Sequence, residues 1–123
     1  MKSILGGLWA AVLMGSSLQA QTTANAEKPD PANGKAVYMR VGCFTCHGTV
    51  GHGGAGARLA PNPLPLATFQ AWVRKGTPGW SILGGMPSFS TTVISDKELA
   101  DIRAYLASLP PPPAAKDIPI LNQ

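Results

Sequence analysis

The sequence predicts an all-α fold with a few helices joined by long irregular loops. Three observations lead there. Apolar residues recur at helical spacing in three separate segments, and no segment reads convincingly as a strand. The chain has 14 glycines and 12 prolines in 123 residues, and the stretches between those segments are rich in both. Hydrophobic residues still make up 45% of the chain, too many for a wholly disordered one.

The elements follow in order. Lys2, the apolar run Ile4–Met14 and the small-residue exit Gly15–Ala20 have the layout of a secretory signal peptide, with cleavage expected after Ala20. The run is short for a spanning helix, which needs about 20 apolar residues, so a membrane is involved only if this segment stays uncleaved. Residues 21–31 are polar and aperiodic, a flexible lead-in. A first helix is expected over Ala32–Val41, with Ala36, Val37, Met39 and Val41 as its apolar face. A second runs over Leu66–Lys75, with Leu66, Phe69, Trp72 and Val73 inward, Gly76 ending it, and Arg74 and Lys75 suited to its C-terminal dipole. A third spans Asp96–Ser108. Ser95 and Glu98 form a capping box there, and Leu99, Ile102, Tyr105, Leu106 and Leu109 form a stripe. Pro110–Pro113 then ends any helix and begins an extended stem. The organisation is therefore signal segment 1–20, lead-in 21–31, domain 32–109 and tail 110–123.

Composition excludes several classes. The net charge of +4 is too small for a nucleic-acid-binding reading, and two cysteines cannot build a multi-disulfide scaffold. A domain over 32–109 is small for a self-sufficient core. Its long loops make sense if they wrap a large rigid ligand.

The most specific motif is Cys43-Phe44-Thr45-Cys46-His47. Two thiols three positions apart with a histidine directly after is the attachment pattern of c-type haem. One turn of chain presents both sulfurs to one porphyrin edge, and His47 swings under the iron as the proximal ligand. A thioredoxin-like redox pair needs a βαβ context, which is not visible here. A zinc site needs a fourth ligand, and only His52 is near. A Cys43–Cys46 disulfide is compatible with an oxidising compartment, but the signal segment and the adjacent histidine favour one covalent haem c. Burying a porphyrin contributes on the order of 10 kcal/mol, the core that the domain lacks.

With these residues in view, the chain resembles a monohaem class I c-type cytochrome over roughly residues 32–109. CFTCH is joined by Gly34 and Tyr38 in the first helix and by Ile102 and Tyr105 in the last. The resemblance implies a class I cytochrome c fold of three to four helices around the haem. The first and last helices would cross closely, Gly34 admitting bulk from Ile102 and Tyr105. Gly56-Ala57-Arg58-Leu59 resembles the family's Gly-Pro-x-Leu segment, where the carbonyl before the x position accepts the proximal histidine's other N–H. Ala57 stands where proline is usual, and the carbonyl remains. Arg58 is a candidate partner for a haem propionate, and Trp72 and Trp80 are candidates to pack on the haem edge, although the spacing of Trp72 also reads as plain core.

Gly84-Gly85-Met86-Pro87-Ser88-Phe89 resembles the family's methionine loop. Met86 lies 39 residues after His47, flanked by Gly85 and Pro87, and is the expected sixth ligand. His52, only five residues past His47, is the alternative. A six-coordinate His/Met iron leaves no open substrate site, so the expected role is that of a one-electron carrier rather than an enzyme. A haem enzyme or sensor with an open iron is the competing class. Two propionates bring the exported chain's +3 to about +1, so overall charge says little about partners.

The segment Phe69–Gly76 followed by Met86–Phe89 is similar to short bacterial cytochromes paired with periplasmic dehydrogenases. It is also similar to haem subunits of flavoprotein dehydrogenases or hydroxylases. The resemblance implies a periplasmic location, a periplasmic dehydrogenase as electron donor, and a cytochrome oxidase or another cytochrome as acceptor. The tail 110–123 carries an apolar tip of Ile118, Ile120 and Leu121. As a chain end it reads first as a disordered terminus; the competing expectation is that this tip lies on the domain's own surface or docks on the partner dehydrogenase.

Overall fold

The computed structural model describes residues 27–79 and 84–123. The expected signal segment, residues 21–26 of the lead-in and Trp80 lie outside the described residues. Four α-helices and no strand are present among the described residues: α1 Pro31–Arg40, α2 Phe44–His47, α3 Leu66–Lys75 and α4 Asp96–Ser108.

Helix α1 starts one residue earlier than the periodicity suggests, because the side chain of Asp30 caps it and Pro31 fills its first position. Asp30 Oδ1 accepts the Ala32 N–H at 2.8 Å. The expected inner face of α1 needs correction. Gly34, Val37 and Tyr38 are buried, while Ala36 and Met39 face outward. The partner sets that face. Helix α1 packs along α4, and a Cβ on Gly34 would collide with the main-chain carbonyl of Asp101. Only glycine admits this approach. The nearest atoms are those of α4's backbone at Asp101 and Ile102, at the close crossing expected for Gly34.

Helix α4 carries the expected capping box. The Ser95 hydroxyl accepts from Glu98 N at 3.2 Å, and Ser95 N donates to Glu98 Oε2 at 2.8 Å. Leu99, Ile102, Tyr105 and Leu106 are buried as a stripe, with Leu109 packed at its end. Helix α3 contributes Phe69 and Val73 to the same cluster. Trp72 departs from expectation: it is 54% exposed. Phe69 and Val73, four apart, define the inner stripe, and Trp72 falls off its edge.

Asp101 is fully buried on α4. It accepts from Asp30 N at 2.8 Å, Asn33 Nδ2 at 2.7 Å, and Lys97 Nζ at 2.8 and 2.9 Å. Burial pushes its pKa up, but the Lys97 ammonium and the two other donors outweigh this and hold the carboxyl below its usual range. This side chain clasps the start of α1 onto α4.

After Pro110–Pro113 come two short 3₁₀ turns, Ala115–Asp117 and Pro119–Leu121. Asn122 Nδ2 donates to the carbonyls of Lys116 and Ile118, both at 2.9 Å. Ile120 and Leu121 are 73% and 62% exposed, while Ile118 is half-buried.

Candidate functional site

The CFTCH segment sits at the end of α1. Gly42 turns the chain with φ +82°, the Cys43 N–H bonds the Tyr38 carbonyl at 3.1 Å, and the His47 N–H bonds Cys43 O at 3.1 Å. The result is one helical turn, α2, with Cys43 at its N-cap. Cys43 and Cys46 are three apart on that turn, which brings their side chains to neighbouring positions. Both are half-buried free thiols, and Phe44 and Thr45 between them are exposed. Burial pushes the Cys43 thiol up to about 11, with Cys46 adding to the effect. Among the described residues, no group of three or more His, Cys, Asp or Glu side chains could hold a metal ion.

His47 is buried, and its Nδ1 lies 2.7 Å from the Ala57 carbonyl oxygen. A carbonyl only accepts, so Nδ1 carries the proton and Nε2 keeps its lone pair for a metal. A glycine-rich loop is moulded round this histidine. Gly53 N donates to His47 O at 2.9 Å, and Gly56 N donates to Cys46 O at 2.8 Å. A Cβ on Gly56 would stand 2.8 Å from His47 Cε1 and 2.9 Å from Nδ1. The loop therefore lies against the imidazole, and a side chain at position 56 would push the ring aside. The sequence marks the Ala57 carbonyl through its resemblance, but the role of Gly56 escapes it. A histidine fixed in this tautomer beside two paired thiols is the donor set that c-type haem requires.

Met86 comes from a separate loop strapped to the end of α3. Thr77 N donates to Met86 O at 3.0 Å, and Met86 N donates to Thr77 Oγ1 at 3.1 Å. Phe89 N donates to Val73 O at 3.1 Å. Arg74 reaches from α3 to Phe89 O at 2.9 Å and to Asp96 Oδ1 at 2.6 Å. Gly76, φ +67°, has no room for a Cβ beside Met86 O. Met86 is half-buried against the same hydrophobic cluster as Cys43 and Leu59. His52 is engaged elsewhere: its Nε2 donates to Pro110 O at 3.0 Å, which ties the proline stem to the glycine-rich loop. Arg58 is exposed on the wall of a hollow of about 310 Å³, lined also by Leu59, Pro61, Asn62, Pro63 and Leu64. No helix among the described residues is long and apolar enough to cross a membrane.

Residues 29–106 match the family model described as cytochrome C oxidase, cbb3-type, subunit III. No curated protein and no solved structure matches the chain.

Proposed function

Since the chain belongs to this family of c-type cytochromes and its activity is haem-based electron transfer, we propose that it is a one-electron carrier. Cys43 and Cys46 would hold a single haem through thioethers, with His47 and Met86 supplying the donors to its iron. When bound, the haem supplies a reversible one-electron couple. The protein's own residues do the rest. The Ala57 carbonyl sets the tautomer and basicity of His47. Thr77 and Arg74 hold the loop that carries the soft Met86 thioether to the end of α3. The observation that carries this reading is the His47–Ala57 bond of 2.7 Å on the same turn as both cysteines.

In this reading residues 1–20 are an export signal, 32–109 the haem domain and 110–123 an accessory tail. The donor is a periplasmic dehydrogenase, and the acceptor a cytochrome oxidase or a second cytochrome. Methionine ligation, which favours Fe(II), supports a place between a lower-potential donor and a higher-potential acceptor. Met86→Ala tests the ligation. Its reduced form should bind carbon monoxide, and its potential should fall by a large step, while His52→Ala should leave both unchanged. An intact spectrum and potential in Met86→Ala would overturn the His/Met assignment and make His52 the candidate.

A further inference from the structure

Tyr38 on α1 and Tyr105 on α4 meet edge to face at the helix crossing, with ring centroids 5.7 Å apart and planes at 60°. Both are buried, Tyr38 completely. The Tyr38 hydroxyl donates to the Gly48 carbonyl at 2.7 Å, and the Tyr105 hydroxyl donates to the Thr49 carbonyl at 3.1 Å. Tyr38 also uses its own main-chain carbonyl to accept the Cys43 N–H at 3.1 Å. One residue thus holds the haem-attachment segment at its entry, Cys43, and at its exit, Gly48. Burial, with the charges of Cys43 and Tyr105 adding, keeps the Tyr38 hydroxyl well above the ordinary tyrosine range, so it stays a donor at neutral pH.

Phenylalanine at either position would fill the same volume. The hydroxyls serve only the two consecutive carbonyls directly after His47. Gly48, at φ +78°, has no side chain to anchor that turn. We infer that Tyr38 and Tyr105 are positioning residues for His47, acting through the Gly48 and Thr49 carbonyls to fix the imidazole's attitude. The inference rests on His47 being the proximal ligand. Releasing the turn frees the main chain of His47, and the Nδ1–H bond to Ala57 O lengthens. A weaker bond at Nδ1 makes the imidazole a less basic donor, which disfavours Fe(III).

The test is Tyr38→Phe and Tyr105→Phe in the haem-loaded full chain. Two readouts bear on positioning rather than stability: the hyperfine-shifted proton resonances of the His47 ring in the oxidised protein, and the oxidised-to-reduced ratio at a fixed applied potential. Both variants should move the ring resonances. Both should also shift the ratio toward the reduced form, by about twofold to fivefold for the shorter Tyr38 bond and less for Tyr105. This direction is opposite to that expected of Met86→Ala. Wild-type resonances and ratio in both variants, even with lowered thermal stability, would overturn the inference. If Tyr38→Phe fails to load haem, Tyr105→Phe decides alone by the same readouts. If the wild-type protein shows no hyperfine-shifted His47 ring, the ligand reading itself falls, and this inference with it.

Discussion

Replacing Gly34 with alanine adds one methyl group at the α1–α4 crossing. In an open helix that change stabilises by about 1 kcal/mol, because glycine is a poor helix former. Here the added Cβ meets the Asp101 main-chain carbonyl and stands 2.8 Å from Ile102 N. Non-bonded heavy atoms sit best at about 3.5 Å or more, so α1 and α4 must separate locally. The obstacle is backbone, not the end of a flexible side chain. The overpacking cost therefore falls at the upper end of the usual range, about 3 kcal/mol. The helix gain offsets a third of it, leaving about 2 kcal/mol of destabilisation and a Tm lower by about 8–16 °C for a domain of this size. The assay is thermal and denaturant unfolding of the haem-loaded protein, followed by far-UV circular dichroism. The sign alone decides. A Gly34→Ala variant as stable as wild type, or more stable, would refute the close crossing.

Three further perturbations have expected outcomes. Asp101→Asn keeps the shape but removes the charge that Lys97, Asp30 N and Asn33 share; it should cost about 2 kcal/mol at neutral pH. Because the folded carboxyl is depressed, its contribution is fully present above the unfolded carboxylate's pKa of about 4 and is lost as pH falls through the folded value. The gap between wild type and variant should therefore close in acid unfolding titrations below about pH 4. Gly56→Ala should displace the His47 ring and cost about 2 kcal/mol, read by thermal unfolding of the haem-loaded protein. Deleting residues 114–123 should leave haem incorporation and potential unchanged but raise the apparent KM for this cytochrome with the proposed donor dehydrogenase, since the exposed Ile120 and Leu121 go with the tail. Unchanged donor kinetics would assign the tail no docking role.

Local signals were the legible part. The bounds of α3 and α4 follow from Gly76 and from the Ser95–Glu98 box, both of which act within a turn of the helix end. The haem-attachment segment is legible for the same reason, as its chemistry lies within five residues. Long-range partners are not encoded by period. The apolar count along α1 puts Met39 inward and leaves Gly34 and Tyr38 to be picked out by the family resemblance alone, because α4 chooses the buried face. Asp101 draws no notice from the sequence pattern, because the partners that close on it, Asp30, Asn33 and Lys97, come partly from a distant helix. Gly56 is picked out only as the first residue of the Gly56–Leu59 segment, and the contact that excludes a side chain there is legible only once His47 is laid against it. Trp72 matches the period of α3 but lies beyond the edge of the stripe set by Phe69 and Val73.

The most direct test of the account is the intact mass of the protein exported from cells competent in c-type maturation. The mass should equal the chain cleaved after Ala20 plus one haem, with neither Cys43 nor Cys46 available to a thiol reagent. A chain without haem, or with both thiols free to react, would contradict covalent attachment and, with it, the assignment of this protein as a monohaem electron carrier.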